Sequence, residues 1–158
     1  MDLDQIIRNQ QKQTRNQIEV YKGIEGYTLP LIKRIIVGKS PIRQIINGQL
    51  VADYHKNTDP LINEFISKRV ENGISMKNLI RQEDKDLSIE ISNPETLKQT
   101  RLLPKGFLVN GIIATFGDYT AITSLDKKKT VGIIVNDSTI TEMFNSIFES
   151  LWENGERV

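Results

Sequence analysis

Cysteine is absent from this chain, and histidine and tryptophan occur once each. Without cysteine there is no disulfide framework, no thiol nucleophile and no thiolate metal site. One histidine alone cannot supply the three or four ligands that zinc needs, so neither a metal nor a cofactor is expected. An excess of charge of one sign is missing too. Lys and Arg number 21 against 20 Asp and Glu, a formal net charge of +1. A dedicated nucleic-acid binder concentrates basic residues, so this balance argues against that class but leaves room for a local basic patch. No apolar run approaches the ~18 residues of a membrane helix. The N-terminus, MDLDQIIRNQQKQTRNQ, has neither the basic start nor the apolar stretch of a signal peptide. A cytoplasmic location with no membrane partner is the expectation. Phosphate-cradling loops of the GxxxxGKS and GxGxxG kinds are lacking. Asp84, Asp86 and Glu90 have neither the glycine nor the closing glutamate of a calcium loop.

What is present is the composition of an ordinary globular domain: 158 residues, 38% hydrophobic and 26% charged. That length supports one domain with a sizeable core. Residues 1–18 are polar, with Leu3, Ile6, Ile7 and Ile18 as the strong apolar positions. Such a helix cannot bury a wide face alone. It reads as the end of a longer helix, as a polar-seamed coiled-coil stub that joins a second copy, or as a solvated arm. Val20 to Lys22 reads as a short strand ending at Gly23. A helix follows up to Gly38, starting near Thr28 because Pro30 favours a first-turn position. Ile42 to Val51 reads as a strand interrupted at Asn47-Gly48, either a hairpin or a strand running into a loop.

Asp59-Pro60 opens a second helix with Asp59 as cap and Pro60 at its first position, and Gly73 ends it. Ile74 to Ile80 alternates as a strand. Pro94 to Thr100 reads as a short helix. Three antiparallel strands are then expected, from Phe107 to Phe116, Tyr119 to Leu125 and Thr130 to Val135. Asp137 or Ser138 caps a last helix. Its apolar residues Ile140, Met143, Phe144, Ile147, Phe148, Leu151 and Trp152 fall at near-ideal helical spacing. The class is α/β or mixed α+β, with a mixed sheet that ends in an antiparallel meander flanked by helices. The domain runs over residues 19–158.

Candidate chemistry is sparse. His55, just before a helix, is either a surface residue or a lone acid-base group. Lys68-Arg69 follows an apolar stripe and precedes a strand, so one of the two side chains can reach the strand ends where α/β ligand sites gather. The alternative is a plain surface pair. Arg101 is either paired inside the fold or a fork for an anionic ligand. Lys127-Lys128-Lys129 lies in an expected turn, where lysines are mostly solvated. Leu151 and Trp152 pack in the core or anchor a dimer contact. Nothing here assembles a catalytic set, and no enzymatic activity is expected.

The order of these segments resembles a family. Tyr21-Lys22-Gly23-Ile24-Glu25-Gly26 after a polar helix resembles the opening of the effector domain of archaeal TrmB-like transcriptional regulators. Phe65 to Ile74 looks like that domain's helix-to-strand step, and Arg101-Leu102-Leu103-Pro104 is similar to its arginine-hydrophobic-Leu-Pro step. The Gly117-Asp118 turn, the strand end at Gly132 to Asp137 and Phe148-Glu149-Ser150-Leu151-Trp152 match its close. The likeness spans roughly residues 19–152. It implies a phospholipase-D-like domain that has lost catalysis and senses a small molecule or assembles a dimer. The His-x-Lys-x4-Asp motif of phospholipase D chemistry is broken here, since Asn57 stands two residues after His55.

On this likeness the ligand would be a sugar or another metabolite held near Lys68, Arg69, Arg101 and His55. A homodimer would form through Ile7, Thr14, Ile18, Leu151 and Trp152. DNA would be reached only through a separate winged helix, for which residues 1–18 are too few. The alternatives are a phosphodiesterase-like enzyme with an atypical site and a stand-alone protein-interaction module.

Overall fold

The computed structural model describes residues 17–55, 59–87, 92–126 and 129–158. Its elements are β1 (Ile18–Lys22), α1 (Ile24–Gly38), β2 (Ile42–Ile46), α2 (Gly48–His55), α3 (Asp59–Glu71), β3 (Met76–Ile80), β4 (Lys98–Leu102), β5 (Gly111–Phe116), β6 (Tyr119–Ser124), β7 (Val131–Asn136) and α4 (Ser138–Glu153). The strands form one sheet in the order β1-β7-β6-β5-β2-β3-β4. The β2–β3 and β3–β4 pairs are parallel and the rest antiparallel. This is the mixed α/β architecture expected, closed by the meander β5-β6-β7. The expected polar helix at 1–18, with Ile7 and Thr14, lies outside the described residues apart from its last two positions.

The alternation along each strand divides the sheet into two faces. Ile42, Ile134, Phe116 and Ala121 point to one face, where Ile35 of α1 and Phe65 of α3 cover them. Ile45 and Leu79 point to the other and meet Phe148 and Trp152 of α4. Fully burying a side chain of this size contributes ~1.5–3 kcal/mol, and Ile46, Ile74, Leu79 and Ile80 are all essentially closed to solvent.

Three expectations need correction. First, α1 starts at Ile24 rather than near Thr28, so Pro30 sits inside it. Gly23, at φ 80°, makes the turn that launches the helix early. Second, Asn47-Gly48 is not a turn. Asn47 caps α2: its side-chain oxygen accepts from the Leu50 amide at 3.1 Å, while its Nδ2 donates to the Val109 carbonyl at 3.1 Å. Asn serves a helix cap as readily as a hairpin, and the position next to Asp84 suits a glycine. A Cβ at Gly48 would lie 3.1 Å from the Asp84 side chain. Asn47 is buried, so Asn47→Ala loses the cap and orphans a carbonyl. We expect a loss of about 1–3 kcal/mol in urea denaturation, and a loss below half that range would mean the cap contributes little.

Third, the helix expected over 94–100 is a single 3-10 turn at Pro94–Thr96 followed by strand β4. Leu97, at φ 53°, ends the turn. The polar run Lys98-Gln99-Thr100-Arg101 has little alternation of its own, and pairing with β3 makes it a strand. Its open edge takes the chain's last residues: the Leu102 amide donates to the Glu156 carbonyl at 2.8 Å and the Val158 amide to the Thr100 carbonyl at 3.2 Å.

The last helix is capped by Asp137, whose carboxylate accepts from the Ile140 amide at 2.8 Å. Its apolar stripe, however, is only half buried. A polar seam at i, i+4 and i+8 fixes its rotation. The Thr141 and Thr120 hydroxyls share a hydrogen bond of 3.0 Å, Thr115 donates to Asn145 at 2.5 Å, and Arg43 donates to Glu149 at 2.8 Å. Ile140, Met143 and Ile147 are left facing outward.

Candidate functional site

Between the first sheet face and α1, α2 and α3 lies a cavity of about 340 Å³. That is within the range of small-molecule sites. Gln44 of β2, Asn78 of β3 and Ala114 of β5 form its floor, and Leu31, Ile35, Ile62 and Phe65 line it from the helices. Gln44 and Asn78 are direct neighbours in the parallel register. Thr28 of α1 and Tyr54 of α2 also border the cavity and share a hydrogen bond of 3.0 Å.

Arg69 gives the cavity its distinguishing charge. Ile62, Phe65, Ile66 and Arg69 fall at i, i+3, i+4 and i+7, so the arginine continues the apolar stripe of α3 and turns inward with it. It is 2% exposed. One terminal nitrogen donates to the Ile74 carbonyl at 2.7 Å and the other to the Thr96 carbonyl at 2.6 Å, at the leading ends of β3 and β4. Its Nε has no acceptor, and no carboxylate among the described residues pairs with it. Burial disfavours the charged form and holds its pKa below the ordinary arginine value. A guanidinium nonetheless keeps its proton in proteins.

The structure does not gather the other sequence candidates around Arg69. Lys68 points to solvent and pairs with Glu64 one turn back, at 2.7 Å. Each partner holds the other charged: hydrogen bonding and attraction lower the Glu64 pKa and raise that of Lys68. Arg101 lies on the opposite face of the sheet. It donates to the Trp152 carbonyl at 2.6 Å, and its guanidinium sits 4.5 Å from the indole centroid. His55 ends α2, but its side chain falls outside the described residues, as do Asn57, Lys127 and Lys128.

The expected dimer contacts separate as well. Trp152 is 5% exposed and stacks on Phe148, so it belongs to the core and is corrected as an interface anchor. Leu151 packs against the same cluster. Ile18 is open on β1, beside Val20, which is 65% exposed. Both side chains point to the α4 face, and α4 packs against β2, β5 and β6. Sequence reasoning missed Asn78, Gln44 and Lys98 at the cavity. Polar residues in short strands carry no signal of their own until the neighbouring strand is known.

No protein-family model and no curated protein matches the sequence. Solved structures do match in fold. TrmBL2, an archaeal chromatin protein described as showing a novel mode of DNA binding, is 18% identical with a TM-score of 0.62, over 97% of this chain and 59% of that one. The chain thus spans about three fifths of the TrmBL2 chain. Nuc from Salmonella typhimurium, a phospholipase D family member, is 12% identical with a TM-score of 0.62, over 89% of this chain and 97% of Nuc. NucT from Helicobacter pylori is 13% identical with a TM-score of 0.59, over 90% and 99%. The likeness to a TrmB-like protein and to phospholipase-D-like folds expected from the sequence is therefore present in the fold. The expectation of no enzymatic activity is overturned. The same fold carries a phospholipase D family member, and a broken motif read from one loop does not separate regulator from enzyme. No helix among the described residues is long and apolar enough to cross a membrane.

Proposed function

We propose that this chain is the ligand-sensing and self-associating domain of a transcription regulator that reaches DNA through a separate winged helix. The observation that carries the sensing part is the cavity between helices and sheet with Arg69 buried in its wall. Buried polar groups without full partners, set in an apolar cavity, mark ligand sites. The likeness to TrmBL2 supports the regulatory setting, because that protein is described as binding DNA.

Self-association is supported by the uncovered apolar side of the α4 face. Ile18 and Val20 on β1 are exposed there, and Met143 and Ile147 are 63% and 54% exposed on α4. Exposed apolar side chains on that side of the sheet supply two places where a second copy can pack. Two measurements test the reading. A thermal-shift panel of sugars, nucleotides, phosphates and carboxylates should find at least one stabilising ligand. Sedimentation should show a dimer that Val20→Glu and Ile147→Glu convert to monomer without loss of helical signal. A wild type that is monomeric at every concentration would remove the self-association part. Hydrolysis of a generic phosphodiester, lost in His55→Ala, would replace this reading with an enzymatic one.

A further inference from the structure

The two edges of the sheet differ. At β4 the open edge takes the chain's last residues, through the Leu102 and Val158 amides. At β1 no described residue pairs with the outer edge. The register tells which backbone groups face it. The Asn136 amide donates to the Gln17 carbonyl at 2.8 Å and the Gly23 amide to the Thr130 carbonyl at 2.9 Å, each between residues opposed in the β1–β7 register. Antiparallel ladders alternate bonded and non-bonded pairs, so Glu19 and Tyr21 give their backbone bonds to β7. Ile18, Val20 and Lys22 therefore turn their backbone groups outward.

An open edge is a template for a further strand, and proteins blunt it with proline, bulges or lysine. β1 has no proline, pairs with β7 without a bulge over all five residues, and carries its one lysine at its last position. Ile18 and Val20 on it are exposed. Residues 1–16, just upstream, lack the alternation of a strand that would fold back over this edge.

A second β1 fits the edge in one register. A closed twofold pairs the two copies antiparallel. Hydrogen bonds form only where outward residues oppose each other, so a twofold that pairs at least two of them passes through residue 19, 20 or 21. Centred on Glu19, it sets two carboxylates directly opposite, which is destabilising. Centred on Tyr21, it leaves Ile18 opposite the start of α1. Centred on Val20, it uses all three outward residues. Val20 then opposes Val20 of the partner subunit, Ile18 opposes the partner's Lys22, and Glu19 opposes the partner's Tyr21. The Glu19 carboxylate is held in its own subunit by Arg34 at 2.6 Å and by the Tyr21 hydroxyl at 2.9 Å.

Building on the self-association reading, we propose that β1 is the dimer contact: a second copy of this chain adds its β1 antiparallel about a twofold through Val20, and the two seven-stranded sheets become one. Main-chain hydrogen bonds supply the affinity, as in other strand additions. The paired Val20 side chains close the joint on the α4 face.

Val20→Pro removes the outward amide and spares the bonds to β7, and proline is tolerated at such edge positions. In sedimentation it should raise the concentration of half-dimerisation at least about tenfold, the scale of one or two lost hydrogen bonds. The chain has no cysteine, so Val20→Cys introduces a single thiol. Across a bonded pair the Cα atoms lie about 5.5 Å apart, within the ~4.4–6.8 Å that a disulfide spans. Under mild oxidation Val20→Cys should form a covalent dimer. Ile18→Cys alone should not, because the partner's Ile18 lies more than about 13 Å away along the strand, but Ile18→Cys mixed with Lys22→Cys should. Should Val20→Pro fail to fold, the cysteine variants decide. A wild-type dimer in which Val20→Cys does not cross-link, or one unmoved by a folded Val20→Pro, would overturn the inference and leave self-association standing through α4. Equal cross-linking of Ile18→Cys alone would overturn it too. A wild type that is monomeric at every concentration would remove both.

Discussion

Trp152→Ala should lower stability by about 3–5 kcal/mol, the scale for truncating a buried aromatic. The indole is almost closed to solvent and stacks on Phe148 with centroids 5.7 Å apart. Lys77 sits 5.2 Å and Arg101 4.5 Å from its centroid. Removing the ring opens a void beside Leu79 and Leu103, which are fully buried, and leaves both cations without the aromatic surface beneath them. Met143→Ala and Ile147→Ala, on the same apolar stripe but facing outward, should each cost no more than ~0.5 kcal/mol. Urea unfolding followed by circular dichroism measures all three. Equal losses for Trp152 and Ile147 would mean that α4 is rotated from the orientation its polar seam gives it.

Asp84→Ala should cost about 3 kcal/mol, the scale for breaking a buried ion pair. The carboxylate of Asp84 is buried and accepts from Arg81 Nε at 2.8 Å, from Arg81 Nη2 at 2.6 Å and from the Gly48 amide at 2.8 Å. It thereby fastens the start of α2 to the turn after β3. Burial alone would push its pKa up. The Arg81 guanidinium and the backbone amides outweigh burial and hold it below the ordinary aspartate value. Its charged form is therefore more stable in the fold than in the unfolded chain. That contribution is complete above the unfolded pKa, about 3.9, and is lost as pH falls through the folded value. Glu149 adds to the same acid limb: burial opposes its charge, but Arg43 and Lys77 lower its pKa. Wild-type stability should fall steeply below about pH 4, and Asp84→Asn should flatten that fall while lowering the plateau above it. An unchanged acid limb in Asp84→Asn would show that Asp84 is not charged in the fold.

Elements that carry their own punctuation were legible in the sequence. Asp59-Pro60 opens α3, Asp137 caps α4, and Gly117-Asp118 turns the meander, because each signal depends only on neighbours in the chain. Signals that serve two purposes misled. Asn47-Gly48 suits a hairpin and a helix cap equally, and only the Asp84 side chain across the fold decides between them. The stripe of α4 is apolar across its full width in the sequence, yet Thr141, Asn145 and Glu149 set the rotation through partners on three strands. The site was half legible. Lys68-Arg69 stood out as a pair, but which of them turns inward depends on an arginine falling in register with Ile62, Phe65 and Ile66. Arg101 looked like its natural companion until strand parity put the two on opposite faces. Asn78 and Gln44 became visible only once β2 and β3 were paired.

The sheet joins two kinds of connectivity, and they differ in what the chain gives up to close them. β5, β6 and β7 pair through short turns, so they assemble for little loop-closure entropy. The antiparallel pair of β2 with β5 instead brackets α2, α3, β3 and β4, and the parallel pairs β2–β3 and β3–β4 need long crossovers. Pairings between distant segments cost more chain entropy to close. The meander is therefore the cheaper half of the sheet to form, and α4, which also packs on β2, ties the two halves together. Arg69 is buried only when the helix before β3 meets the turn before β4. The cavity is thus walled by segments that lie far apart along the chain, and its shape depends on the costliest closures in the fold.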